Sequence, residues 1–142
     1  MIEKKLSFST FDIAKALNTP RSNLQLYIDK RYLVPSMGTA RGRGTRSRFS
    51  LEDAYRIRLF QKLHEAGLSQ REAAKLANDF DFGEVVNSFD VYLVMPHGPG
   101  ESVSVLCDES QLMKHIRESR TAIFIGIKVG MIMAEVDEKL IG

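Results

Sequence analysis

The tripeptide Asn18-Thr19-Pro20 constrains this chain more than any other short segment. It separates two stretches of helical period. Ahead of it, Ser9 or Thr10 caps a helix over residues 11–17, with Ile13, Ala14 and Leu17 on one face. Behind it, Thr19 reads as an N-cap with Pro20 at the first helical position, where its missing N–H costs nothing. The second helix runs over about residues 20–30. Leu24, Tyr27 and Ile28 face inward, whereas Arg21, Ser22, Gln25 and Asp29 face outward. Two short helices joined by a three-residue break form a helix-turn-helix, whose second helix normally enters the major groove of DNA. A plain helical hairpin with a polar exterior satisfies the same pattern, so the segment after the second helix decides between them.

That segment contains a glycine loop studded with cations, Gly38-Thr39-Ala40-Arg41-Gly42-Arg43-Gly44-Thr45-Arg46-Ser47-Arg48-Phe49. Arg41, Arg43, Arg46 and Arg48 have no nearby charge to neutralise them, so they stay in solvent. Such a loop suits a phosphate backbone. The charge balance agrees. Residues 1–78 hold 15 Lys+Arg against 7 Asp+Glu, whereas residues 79–142 hold 5 against 11. The modest net charge of +2 conceals a basic first half, the electrostatic footprint of a nucleic-acid binder. Gln25 suits an adenine edge and Arg21, one turn away, a guanine edge or a phosphate. Ser22 shares their face. Arg56 or Arg58 is a further candidate phosphate contact.

Ser50 reads as the cap of a third helix extending to about residue 66, with Ala54, Ile57, Phe60 and Leu63 inside and Gly67 as its terminator. Ser69-Gln70-Arg71-Glu72 reads as a capping box opening a fourth helix through Ala73, Leu76 and Ala77.

Residues 8–78 resemble the DNA-binding domain of MerR-type regulators, a winged helix-turn-helix. The resemblance rests on Phe8-Ser9, Ile13-Ala14, Leu24-Gln25-Leu26-Tyr27 and Tyr32-Leu33-Val34-Pro35. It continues through Arg48-Phe49-Ser50 and Leu63-His64-Glu65-Ala66-Gly67-Leu68-Ser69. It implies that the second helix reads the major groove and that the loop is a wing on the backbone. It also implies a phosphate contact for Tyr27. Gln25 and Leu26 depart from the family's arginine and first tyrosine, which removes one expected contact. Family members follow the fourth helix with a long dimerising helix, but Asp79-Phe80-Asp81-Phe82-Gly83 interrupts the helical pattern here.

The acidic half reads as a small α+β module. Residues 90–95 and 102–107 form a hairpin around Pro96-His97-Gly98-Pro99-Gly100. Asp108 or Ser110 caps a helix to about residue 119 with Leu112, Met113 and Ile116 inward. Residues 121–129 form a third strand, and a last helix over about 131–140 presents Ile132, Met133, Val136 and Leu140. The fold class is therefore α+β, with a mainly α winged helix-turn-helix domain over 1–78 and the module over 79–142. The module's apolar surplus predicts a homodimer through residues 79–142, matching palindromic half-sites.

A single cysteine, Cys107, excludes an internal disulfide and fits a reducing cytoplasm. Residues 1–6 carry no apolar signal core, and the stretch 122–136 is too interrupted to span a bilayer. His64, His97 and His115 sit at no metal-ligand spacing, and Cys107 reads as packed. No cofactor, metal or enzymatic activity is expected. The reading is a sequence-specific, DNA-binding transcriptional regulator, cytoplasmic and dimeric, with RNA polymerase as a further partner. The alternatives are an architectural or excisionase-type DNA-bending protein, and a scaffold whose acidic half binds another protein.

Overall fold

The computed structural model describes residues 7–38, 47–85, 92–96, 105–118 and 124–142. Contacts divide the chain into two compact units. One comprises residues 1–82 with 133–142, and the other residues 83–132. The last ten residues thus group with the first half of the chain rather than with the module expected over 79–142. Two side-chain bonds join these segments: the Tyr55 hydroxyl donates to the Asp137 carboxylate, and Arg58 pairs with Glu135 at 3.0 Å.

The first unit opens with strand β1 (Phe8–Ser9) and helix α1 (Thr10–Ala16). Ser9, not Thr10, is the cap. Its Oγ accepts the Asp12 N–H at 3.1 Å while Asp12 Oδ2 accepts the Ser9 N–H at 3.0 Å, a reciprocal capping box. Helix α2 (Arg21–Asp29) follows. Thr19 does not cap it, contrary to the sequence reading: Pro20 holds that position at φ −58°, ψ 137°. The reason is that Thr19 already serves α1. Its N–H donates to Ala14 C=O at 2.9 Å, and its hydroxyl turns back to Leu17 C=O at 3.1 Å.

Helices α1, α2 and α3 (Leu51–Glu65) end in one geometry. Asn18 (φ 50°), Arg31 (φ 62°) and Gly67 (φ 116°) turn the chain left-handed. The next residue's N–H then reaches back five residues: Thr19 to Ala14, Tyr32 to Tyr27, Leu68 to Leu63. These Schellman closures satisfy carbonyls that the helix end would orphan.

Strand β2 (Arg48–Phe49) pairs antiparallel with β1, in register Phe8↔Phe49 and Ser9↔Arg48. Ser50 caps α3 through a second reciprocal box with Asp53, at 3.0 and 2.9 Å. Helix α4 (Gln70–Asp79) packs on α3. Its cap, Ser69, accepts from the Glu72 N–H at 3.1 Å, which is one half of the expected box. Phe80 is already extended (φ −75°, ψ 131°), and a short 3-10 turn spans Phe82–Val85. The interruption read at Asp79 is therefore real. Phe8, Phe49, Phe60, Ile13, Leu24, Ile57, Leu59 and Leu63 are fully buried and form this unit's core.

The second unit contains β3 (Tyr92–Pro96), β4 (Val105–Cys107), α5 (Glu109–Glu118), β5 (Phe124–Lys128) and the start of α6 (Val129–Leu140). The strands form an antiparallel sheet of order β4-β3-β5, with Tyr92 facing both Cys107 and Lys128. Ile125 and Ile127 are buried while Gly126 and Lys128 are exposed, so β5 alternates as a half-buried strand does. Asp108 rather than Ser110 caps α5, accepting the Gln111 N–H at 2.9 Å and the Ser110 hydroxyl at 2.7 Å. These bonds hold its carboxyl below the usual range. Leu112 and Ile116 are half-buried. Met113, expected on the inner face, is 51% exposed, because it lies 100° round the helix from Leu112. Cys107 is buried, and burial followed by the Asp108 charge pushes its thiol up, which keeps it protonated. His97 and the turn 97–100 lie outside the described residues.

Candidate nucleic-acid interface

Helix α2 carries the candidate reading face. Leu24 and Ile28 anchor it in the core, and that burial aims Arg21, Ser22, Gln25 and Asp29 at solvent. The structure thus brings three of the predicted site residues together on one exposed face. Gln25 Nε2 donates to Asp29 Oδ1 at 2.9 Å, which aligns the amide along the helix. Tyr27 is half-buried, and its ring meets Phe60 edge-to-face at 5.0 Å between centroids. Packing fixes that ring more firmly than the outer residues.

The base of the arginine loop is braced from two directions. The Met37 N–H donates to Arg48 C=O at 3.2 Å, and the Arg48 N–H donates to Gly38 C=O at 2.8 Å. The two arms of the loop are thereby paired at their root. Beneath them, Asp53 Oδ2 accepts from the Ser36 N–H at 3.0 Å, the Ser36 hydroxyl at 2.6 Å and the Ser50 N–H at 2.9 Å. One buried carboxylate therefore caps α3 and holds the turn that launches the loop. The cap was legible in Ser50-x-x-Asp53. The bond to Ser36 crosses 17 residues and has no local signal.

Arg48 itself is half-buried, with Nη2 on Ser7 Oγ at 2.7 Å and Ser7 C=O at 3.4 Å. It braces the chain ahead of β1. Arg41, Arg43 and Arg46 lie outside the described residues. Arg56 and Arg58, which the sequence suggested as further phosphate contacts, are half-buried and paired with carboxylates. Arg56 pairs with Glu52 at 2.8 Å and lies over the Phe82 ring at 5.8 Å. Arg58 divides its guanidinium between Glu135 at 3.0 Å and Gln61 Oε1 at 3.1 Å. Both arginines found carboxylates on their own or a packed helix, which a charge count cannot foresee.

Gln61 completes a chain of polar contacts that sequence reasoning missed. Its Nε2 donates to Thr19 Oγ1 at 2.8 Å, so the turn ahead of α2 is tied to α3. Among the described residues no group of three or more His, Cys, Asp or Glu is placed to hold a metal. No helix among them is long and apolar enough to cross a membrane.

Two short helices across a tight turn, an exposed polar face on the second and a braced basic loop define a helix-turn-helix DNA-binding domain. Residues 8–79 match the family described as MerR HTH family regulatory protein. The chain belongs to that family and is a DNA-binding transcriptional regulator of the MerR helix-turn-helix type. No curated protein matches it at a significant level.

Proposed function

We propose that this protein reads a specific duplex with α2 and grips the flanking phosphates with its arginine loop. The exposed row of Arg21, Ser22 and Gln25, beside buried Leu24 and Ile28, is the observation that carries this reading. Gln25 exchanges its Asp29 partner for an adenine edge, and Arg21 takes a guanine edge or a phosphate. Tyr27 offers its hydroxyl to a phosphate while its ring rests on Phe60. Arg41, Arg43 and Arg46 hold the backbone and add affinity without sequence preference. Arg48 joins them when phosphate oxygens replace Ser7.

The protein acts as a homodimer through residues 79–142, one protomer on each half of a palindromic site, and meets RNA polymerase at the promoter it occupies. The acidic balance of residues 79–142, which suits them poorly to DNA, supports this division of labour. So do the exposed side chains of Met113 and Met131. The lone buried Cys107 fits a cytoplasmic location.

The test is selection of bound sequences from random duplexes at about 150 mM salt, the physiological screening regime. A palindromic consensus is the expected result. Binding without a consensus, lost as salt rises, moves the assignment to an architectural DNA-bending protein. A monomer by light scattering at micromolar concentration removes the homodimer.

A further inference from the structure

The exposed face of α2 has an apolar centre. At 100° per residue, Leu26 falls diametrically across the helix from the midpoint between Leu24 and Ile28, its buried edge. Its surface neighbours one turn away are Ser22, Asn23, Asp29 and Lys30, all exposed and all polar. Leu26 is 47% exposed among them. It contributes to no core, and nothing in the fold of the described residues requires an apolar side chain there.

We infer that Leu26 is a specificity-determining residue that selects a thymine by contact with its C5-methyl group. The inference rests on the proposal that α2 enters the major groove. A leucine side chain has no donor or acceptor, so it distinguishes no base by hydrogen bonding. The one apolar group on the floor of the major groove is the thymine methyl. A polar face with a leucine at its middle therefore fits a half-site with a thymine to one side of the bases that Arg21 and Gln25 contact. Against a phosphate the same leucine has no favourable partner, so its central position also argues that this face meets bases rather than backbone.

The experiment uses the full chain and the duplex of highest affinity from the selection. Each thymine is replaced singly by deoxyuridine, which removes the methyl group and leaves every hydrogen-bonding atom in place. One thymine per half-site is expected to weaken wild-type binding about fourfold when demethylated, the scale of one buried carbon. Leu26→Ala should bind the parent duplex about as weakly and show no further loss at that thymine. Circular dichroism confirms folding of the variant, whose replaced side chain lies outside the core. The inference is overturned if no thymine in the half-site responds, or if Leu26→Ala keeps the wild-type response. Gln25→Ala, run on the same panel, separates the two levels. A changed base preference in Gln25→Ala with no methyl response overturns the role of Leu26 alone. Unchanged preference in both variants overturns α2 as the reading helix, and the inference with it.

Discussion

Gln61 Nε2 lies 2.8 Å from Thr19 Oγ1, and this bond ties α3 to the turn from which α2 starts. The same Thr19 hydroxyl donates to Leu17 C=O at 3.1 Å. On the other side, the Gln61 carbonyl accepts from Arg58, whose second arm holds Glu135 on α6. Gln61→Leu removes a donor and an acceptor together and leaves one arm of Arg58 without its partner. The expected loss is about 1–3 kcal/mol, measured by urea denaturation. Affinity for the selected duplex should fall more than affinity for random duplex, because the orientation of α2 loosens.

Asp53 serves the helix and the loop at once. Asp53→Ala removes three hydrogen bonds from one buried oxygen, and about 2–4 kcal/mol of stability should go with them. Ser36→Ala deletes the hydroxyl's bonds to Asp53 and to Ser50 Oγ but leaves the reciprocal Ser50–Asp53 box in place. It should cost about 1 kcal/mol while weakening binding to every duplex alike, since the loop root is what it holds. Equal losses in the two variants would show that the Ser36 bond carries the whole effect.

Arg31 occupies a left-handed position, at φ 62°, which a glycine adopts without steric penalty. Arg31→Gly should therefore stabilise the protein by about 0.5–1 kcal/mol, with the midpoint of thermal unfolding rising accordingly. A fall in the midpoint would mean that the side chain makes a compensating contribution.

Burial, then the hydrogen bond to Asp137 and its negative charge, pushes the Tyr55 hydroxyl above the ordinary tyrosine range. The folded state thus holds this proton longer than the unfolded state. Its contribution is complete below the unfolded value of about 10 and is lost as pH rises above it. Wild-type stability should decline there by up to about 1.4 kcal/mol per pH unit from this group. Tyr55→Phe should lack that part of the slope, as equilibrium unfolding between pH 9 and pH 11 (about one unit either side of that value) would reveal.

Arg43 and Gln25 should separate affinity from preference. Arg43→Ala is expected to weaken binding to all duplexes and to flatten the salt dependence by roughly one unit of slope. Gln25→Ala is expected to change which duplex is preferred and to leave the slope unaltered. Filter or fluorescence titrations over a salt series distinguish the two.

Local chemistry alone determined much of this protein. The break at Asn18-Thr19-Pro20, the Ser50-x-x-Asp53 box, the terminator Gly67 and the alternation around Ile125 and Ile127 all act over a few residues. Propensity, capping and period therefore register them directly in the sequence. The outward set of Arg21, Ser22 and Gln25 was legible for the same reason, because a helix with two buried positions leaves no choice about its other face. The tertiary structure decided whatever depends on who sits opposite. Thr19 lost the cap of α2 because its N–H and hydroxyl were already committed to α1. Arg58 was drawn to Glu135 and Gln61, and Arg56 lies over Phe82 while paired with Glu52, because the packed helices brought these partners within reach. Asp53 gained Ser36, and residues 133–142 joined the first unit through Tyr55 and Arg58. The Asp53–Ser36, Arg58–Glu135 and Tyr55–Asp137 pairings span 17 to 82 residues of chain, and no periodicity encodes them. They follow from desolvating a polar or charged group, which must then find whichever partner the packed helices bring to it.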